Sequence, residues 1–562
     1  MTLTRQQSLA QLTAPGQPHE IQPLTINNVP CRVFANAPKS LRELFADNVS
    51  DATFMVYEDE RYTFAQMYTQ ACQLATALVN QYGVVKGDRV AISMRNYPEW
   101  VVGFTAATSI GAIAVAMNAW WESDEIAEGL KDCGAKVILA DRERLERLSS
   151  IIDQVDVQVI AVRPGDNNQL GTDIKDLLSQ QADDCPMPEV EVLPEDPATI
   201  FYTSGSTGFP KGAVSTHRNI LSALLSWELD QLSGMLMAGI EPPEPTETTE
   251  QPATLLAVPL FHATGSHAVF LSCYRSQRKL VSMYKWDADA AAQLIEKEKI
   301  SSFVAPAAMT GDLVQAAKRS SYDLGSLLTV GGGGAPRAPE QVKDIKASIA
   351  TAMPNTGWGM TETNAIGTGI GGEDYLNRPA SSGRVSAVLD LKIIDEEGNE
   401  LPAGQRGELL IRGVSVIHGY WRRPEANAET FVDGWLRTGD VAYIDDEGYL
   451  FIVDRIKDLI IRGGENIGCG EVEAALVEHP LVIEASVYAI PDERLGEEVG
   501  ATVYAQQGLL ENDLRQFLNA HLAKFKIPAA IQIVHEPLPR IASGKIFKRQ
   551  LRDQTIEALA AK

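Results

Sequence analysis

No cysteine pair in this chain has metal-binding spacing: its six cysteines, Cys31, Cys72, Cys133, Cys185, Cys273 and Cys469, are scattered without a CxxC. That spread excludes a structural zinc framework and suits a reducing compartment. Positive charge is scarce as well. Lysine and arginine number 49 against 74 aspartates and glutamates, a net charge of -25. Nucleic acid is therefore excluded as the main partner, because a phosphate backbone demands a basic face; an anionic ligand must be met by a local exception. The opening "MTLTRQQSLAQLTAPGQP" lacks the apolar core of a signal peptide. The stretch from Val101 to Trp121 is uncharged and long enough to span a bilayer. Thr105, Thr108, Ser109 and Asn118 make it polar and Gly111 interrupts it, so it reads as a buried helix, a turn and a buried strand. The expectation is a cytoplasmic protein with no membrane span.

What is present is the material for a large core. At 562 residues, with 45% hydrophobic content, the chain has room for roughly three or four domains. Apolar β-rich runs such as "RVAISM", "KVILA" and "VQVIAV" alternate with helical stretches such as "DEIAEGLKDCG" and "DAAAQLIEKEK", the pattern of layered α/β domains. No internal repeat is evident. "GIEPPEPTETTEQP", Gly239 to Pro252, is rich in proline, glutamate and threonine and reads as an exposed loop without a catalytic part. From about Gly407 the runs shorten to "GELLIRG", "GWLRTGD" and "GYLFIVD", hairpin strands of a small β-rich subdomain. The expected fold is α/β: a large N-terminal domain, 1–455, of layered α/β subdomains plus a β-rich subdomain at about 380–455, and a small mobile α+β C-terminal domain, 456–562.

"YTSGSTGFPKG", Tyr202 to Gly212, joins hydroxyls and glycines to one lysine directly after an apolar strand. Glycines let backbone N–H groups approach an anion, and serine and threonine add donors; a solvated surface turn is the commoner fate of such a cluster. It is not a Walker loop, because Lys211 follows Pro210 and precedes Gly212, and "AVST" reads as strand before a helix starting near His217. A strand, a hydroxyl-rich loop and a second strand can still wrap a triphosphate, with Lys211 offsetting its charge.

Further motifs follow in order: "PLFHATG" (Pro259 to Gly265), "GGGGAP" (Gly331 to Pro336), "GWGMTET" (Gly357 to Thr363), "GWLRTGD" (Gly434 to Asp440), "DRIKDLIIRGGEN" (Asp454 to Asn466) and "PRIASGK" (Pro539 to Lys545). Together, over nearly the whole chain, they resemble the adenylate-forming superfamily of acyl-CoA synthetases, adenylation domains and beetle luciferases. The resemblance implies two half-reactions, in which a carboxylate attacks the α-phosphorus of Mg-ATP and a thiol then displaces AMP. ATP, Mg²⁺ and coenzyme A are thus the implied cofactors and co-substrates.

The resemblance also implies roles. Thr203, Ser204, Gly205, Ser206, Thr207, Gly208 and Lys211 would hold the outer phosphates. Gly334, Ala335, Pro336, Gly359 and Met360 would line the nucleotide, with Trp358 offering an aromatic face to adenine where the family usually has tyrosine. Thr361 would meet the α-phosphate, Glu362 a Mg²⁺ ion, and Asp440 the ribose hydroxyls, with Arg455 reaching the same sugar. Lys545 would bridge the carboxylate and the α-phosphate; Lys211, Thr361, Glu362 and Lys545 are the catalytic set. Locally Lys545 belongs to a basic run with Arg540, Lys548, Arg549 and Arg552, a solvated face by default and a landing place for the phosphates of CoA. Lys457 occupies the family's hinge position, and Gly463 and Gly464 would border the thiol channel, although a tight turn explains such glycines equally. Cys469 replaces the family's proline and reads as a small apolar filler.

Phe261, His262, Gly265, Gly333 and Gly334 are the expected acid pocket, with His262 in a positioning role. Gly265, Ala268, Gly334 and Ala335 are small and leave room for a long or bulky acid, and neither pocket segment holds an arginine or lysine to meet a second carboxylate. A medium- or long-chain fatty acid leads, an aryl acid follows, and transfer to an acyl carrier protein is the second acceptor; no carrier domain follows Lys562, so that partner would act in trans. A nucleotide-binding protein without catalysis would be expected to lose Lys545 or Glu362, and both are present. A homodimer is left open.

Overall fold

Fully apolar runs build the centre of the molecule. The computed structural model describes residues 3–166, 170–203, 210–240, 250–333, 337–541 and 545–560, and among them two large, mostly parallel sheets lie in the N-terminal domain. The first orders its seven strands Gly212–Thr216, Pro197–Tyr202, Ile113–Ala116, Arg89–Ser93, Val137–Asp141, Gln158–Val162 and Thr172–Asp173. Every residue of Ile113–Ala116 and Val137–Asp141 is buried, as expected of strands covered on both faces. Gly212–Thr216 alone runs antiparallel, folding back on Pro197–Tyr202 through the hydroxyl-rich loop. The second sheet has nine strands, with parallel pairing from Thr53–Tyr57 through Lys279–Ser282, Ala253–Leu256, Ser302–Ala305 and Thr329–Gly332 to Met353–Thr356.

The uncharged stretch from Val101 divides as expected. Pro98 opens a helix, Pro98–Ser109, all of whose residues are buried; proline suits this place because the first helical N–H has no partner to lose. Gly111 turns the chain at φ +70°, and the strand Ile113–Ala116 follows. The helix shares a core with Phe64–Asn80 and with side chains from both sheets, among them Phe54, Val56, Val90 and Ile92. Among the described residues no helix is long and apolar enough to cross a membrane.

A third, antiparallel sheet carries Leu389–Ile394, Gly407–Gly413, Phe431–Val432, Trp435–Ile444 and Leu450–Arg455. It is fastened to the parallel layers by Asn219, near the start of the helix His217–Met237, whose side-chain amide donates to the carbonyls of Val414 (2.8 Å) and Val416 (3.2 Å). Beyond Arg455 a short turn, Ile456–Asp458, leads to a fourth sheet of Ile460–Arg462, Glu465–Ile467, Val482–Asp492, Gly496–Ala505 and Ala530–Val534. The helices Cys469–Val477 and Glu511–His521 close its separate core through Val472, Leu476, Leu514 and Leu518. The chain is thus a large mixed α/β N-terminal domain followed by a smaller C-terminal one. Of the proline-rich stretch after Gly239, residues 241–249 lie outside the described residues.

Candidate active site

Three parallel strands deliver the first components at their carboxyl ends, where ligands of α/β sheets bind. Pro197–Tyr202 ends in Thr203, whose N–H donates to the carbonyl of Lys211 (2.9 Å). The neck of the loop is therefore closed; Ser204, Gly205, Ser206, Thr207 and Gly208 lie outside the described residues, as do Gly334, Ala335 and Pro336. Thr329–Gly332 leads to Gly333, where an added Cβ would meet open space. Met353–Thr356 leads through Gly357, Trp358, Gly359 and Met360 into one turn of 3₁₀ helix, Thr361–Thr363. That turn is tightly folded: Asn364 and Ala365 both have positive φ, and a side chain on Gly359 would strike the carbonyl of Ala365 at 2.5 Å.

Two carboxylates stand on this frame. The backbone carbonyl of Glu362 accepts from the N–H of Ile417 (2.9 Å), and its Oε1 accepts from the hydroxyl of Tyr420 (2.7 Å). Asp440, in Trp435–Ile444 and in register with Arg455 on the next strand, is 5% exposed. Its Oδ2 accepts from the indole N–H of Trp358 (2.7 Å), and Arg455 Nε lies 3.3 Å from Oδ1. Burial raises the Asp440 pKa above the ordinary carboxylate value, while Arg455, the indole N–H, Lys545 and Lys457 oppose the rise.

The smaller domain supplies cations. Lys545 stands at the neck of a hairpin in which Arg540 bridges Ile546 and the carbonyl of Lys545 accepts from Ile541 N–H (2.9 Å). Burial pushes its ammonium down to about 8; Arg455 and Lys457 act in the same direction, and Asp440 and Glu362 against it. Lys457 is lowered by burial and Arg455, with Asp458 and Asp440 opposing and Lys211 adding to the fall. Lys211 itself lies with Nζ 4.7 Å from the centre of the Tyr420 ring. Lys211, Glu362, Asp440, Arg455, Lys457 and Lys545 therefore lie near one another. His262 lies near Lys545: burial and the Lys545 charge lower its imidazole to about 4, so it is neutral near pH 7. Phe261 packs on that imidazole with ring centres 4.8 Å apart.

Two expectations need correction. Gly265 does not open space for a bulky acid, because an added Cβ would lie 2.1 Å from the carbonyl oxygen of Pro259; its lack of a side chain lets two backbone segments touch. The basic run near the C-terminus is not one solvated face. Arg540 pairs with Glu484 and Lys548 Nζ lies 3.0 Å from Glu473, which leaves Arg549 and Arg552 exposed. Gly463 and Gly464 have φ of +59° and +93° at the turn between Ile460–Arg462 and Glu465–Ile467, so a hairpin alone accounts for both. Cys469 is buried in the smaller core, its thiol donates to the carbonyl of Asp458 (3.2 Å), and burial raises its pKa, which leaves it inert.

Sequence reasoning missed Tyr420. "GYW" lies outside the quoted motifs, and no spacing distinguishes a tyrosine under a lysine from one in a core. Trp358 was read for its ring face; its N–H bond to Asp440 depends on residues 82 positions apart meeting.

Glu362, just beyond a parallel strand, and Asp440, on an antiparallel one, both lie near Lys545 of the smaller domain, with Asp440 near Lys457 as well, and the whole is an α/β enzyme. The chain belongs to the AMP-binding enzyme family, whose model matches residues 43–421, with the AMP-binding enzyme C-terminal domain matching residues 471–545. It is 34% identical over 500 residues, 88% of this chain and 93% of the other, to a long-chain-fatty-acid–CoA ligase of Mycobacterium tuberculosis. The anthranilate CoA ligase AuaEII, solved in complex with anthranoyl-AMP, superposes with a TM-score of 0.83 at 25% identity over 93% of this chain and 98% of that one. The o-succinylbenzoate CoA synthetase of Bacillus subtilis, solved with ATP and magnesium ion, gives 0.75 at 27% identity over 92% of this chain and 99% of that one.

Proposed function

We propose that this enzyme is an acyl-CoA synthetase that activates a carboxylic acid with ATP and passes the acyl group to coenzyme A. The observation that carries the reading is the place of Lys545: a cation of the smaller domain lies close enough to Asp440, Glu362 and Arg455 of the larger one for their charges to move its proton affinity. In the first half-reaction a carboxylate oxygen of the acid attacks the α-phosphorus of ATP. The bond from that phosphorus to the bridging oxygen breaks, and pyrophosphate leaves. Lys545 holds the carboxylate and the α-phosphate together and offsets the charge that builds between them. Thr203 and Lys211, with Ser204, Ser206 and Thr207, hold the outer phosphates; Thr361 meets the α-phosphate; Asp440 and Arg455 take the ribose. Trp358 forms the aromatic wall at adenine and, through its N–H, orients Asp440.

Glu362 fits a Mg²⁺ ion. It is a buried carboxylate with one oxygen engaged by Tyr420, and Mg²⁺ is typically held by one or two carboxylates plus phosphates and water. Bound there, the ion would neutralise phosphate charge. In the second half-reaction the sulfur of CoA attacks the acyl carbon, AMP departs with the bonding electrons, and the thiol proton goes to solvent. Lys457 is the hinge on which the smaller domain turns between the two steps, with Gly463 and Gly464 facing the incoming thiol arm.

A medium- or long-chain fatty acid is the preferred substrate class. The segments 259–270 and 331–336 carry no lysine or arginine, the buried Arg337 that follows them donates to the Asn355 carbonyl and to Thr310 Oγ1, and the mycobacterial relative acts on long-chain fatty acids by name. An aryl acid is the second reading, favoured by the names of the two solved ligases. The test is pyrophosphate release with ATP and Mg²⁺ against a panel of fatty, aryl and amino acids, with and without CoA. Acid-dependent release that yields acyl-CoA only when CoA is present is the expected result. Release indifferent to every acid, or thioester formed only on an added carrier protein, would refute it.

A further inference from the structure

Tyr420 touches both groups that this reading directs at the phosphate tail. Its hydroxyl donates to Glu362 Oε1 at 2.7 Å, and its ring face lies 4.7 Å from Lys211 Nζ. Tyr420 is 8% and Glu362 6% exposed, so the hydrogen bond between them is shielded from solvent. The Tyr420 backbone is tied to the same two places. Tyr420 bridges Ala213, Gly419 carbonyl accepts from Val214 N–H (3.2 Å), and Trp421 N–H donates to Gly212 carbonyl (2.8 Å). Residues 419–421 thus pair with the strand that begins one residue after Lys211. Three residues upstream of Tyr420, Ile417 N–H holds the backbone carbonyl of Glu362, and Asn364, two residues beyond Glu362, donates to the carbonyl of Ser415 (2.8 Å).

We propose that Tyr420 is a positioning residue that fixes Glu362 relative to Lys211 and thereby sets metal affinity in the nucleotide complex. The inference rests on the reading of Glu362 as a Mg²⁺ ligand. A carboxylate that rotates freely offers either oxygen in any direction; a donor on Oε1 restrains that rotation and leaves Oε2 as the oxygen that would meet a cation, the service that outer partners perform for metal ligands. The ring under Lys211 adds a second constraint, since a cation over an aromatic face is held in position without being neutralised.

The experiment compares the full-length enzyme with Tyr420→Phe, which keeps the ring and removes the hydroxyl, and with Glu362→Gln. Mn²⁺ binding is read by electron paramagnetic resonance in the presence of α,β-methylene-ATP, and the Mg²⁺ dependence of acid-dependent pyrophosphate exchange is read in parallel. The expected result for Tyr420→Phe is metal affinity weakened about tenfold, with exchange recovering as Mg²⁺ is raised and metal-free nucleotide binding unchanged. Metal affinity equal to that of the unmodified enzyme, or a loss of exchange that no Mg²⁺ concentration restores, overturns the proposal. Glu362→Gln separates the two readings: if it leaves Mn²⁺ affinity unchanged, Glu362 does not hold the ion and the underlying assignment falls with it.

Discussion

Replacing Trp358 with phenylalanine keeps an aromatic wall and removes one hydrogen bond, the 2.7 Å contact from the indole N–H to Asp440 Oδ2. The indole is held in place, because an added Cβ on Gly367 would meet its six-membered ring at 2.6 Å. A hydrogen bond to a charged group contributes about 1.5–3 kcal/mol. Arg455 remains 3.3 Å from the other oxygen, so the lower figure applies, and about 1.5 kcal/mol corresponds to roughly tenfold in affinity. The assay is calorimetric titration of the unmodified enzyme and Trp358→Phe with ATP and with 2′,3′-dideoxy-ATP. If the indole acts through Asp440 on the ribose, the variant loses about tenfold for ATP and much less for the nucleotide without hydroxyls; that difference is the coupling a double-mutant cycle isolates. Equal losses for both nucleotides would refute the reasoning and return Trp358 to a stacking role alone.

Lys545→Ala should suppress acid-dependent pyrophosphate exchange by 10²-fold or more, on the order of a lost charge stabiliser, while thioester formation from supplied acyl-adenylate persists; equal loss in both assays counts against it. Because Lys545 is lowered from 10.5 to about 8, kcat/KM for ATP should fall with an alkaline limb near pH 8, and the strain of keeping its ammonium buried should be fully present below that value and fade as pH rises towards 10.5. A limb that persists in Lys545→Ala would belong to another group. Gly464→Leu should impair CoA transfer more than adenylation, with Gly464→Asn, which tolerates positive φ, controlling for strain in the hairpin; parallel loss in both half-reactions would assign the site to folding. Gly265→Ala should lower stability by about 1–3 kcal/mol, read as a fall in Tm, since its Cβ must displace the backbone at Pro259; an unchanged Tm would show that the segment yields freely.

Much of the architecture was legible because burial leaves a local mark. Runs such as residues 137–140 are apolar throughout, and the glycines from Gly407 to Arg455 announce short hairpins, so the α/β layers, the β-rich part and the smaller C-terminal domain could be read directly. Strand order could not. Val90 pairs with Ala114 on one side and Val137 on the other, and the parallel neighbour of Thr53–Tyr57 begins only at Lys279; parallel pairing leaves no periodic trace of its partner. The site divides the same way. Motif glycines and lone cations marked Lys211, Glu362, Asp440 and Lys545, but Gly265 shows the ambiguity of small residues, since an absent side chain can mean room for a ligand or contact between two backbones. The default reading of the basic run as a solvated face holds only in part, because carboxylates far away in the chain, Glu484 and Glu473, pair with Arg540 and Lys548, two of its five members.

Asp440 and Arg455 face each other across a pair of strands, and Lys457 follows two residues later. A domain swing about Lys457 would therefore begin within one turn of chain from Arg455, one of the two side chains proposed to take the ribose. Occupancy of that sugar site would stiffen the pivot and its release would loosen it, so departure of AMP and return of the smaller domain would work like the two ends of a single lever.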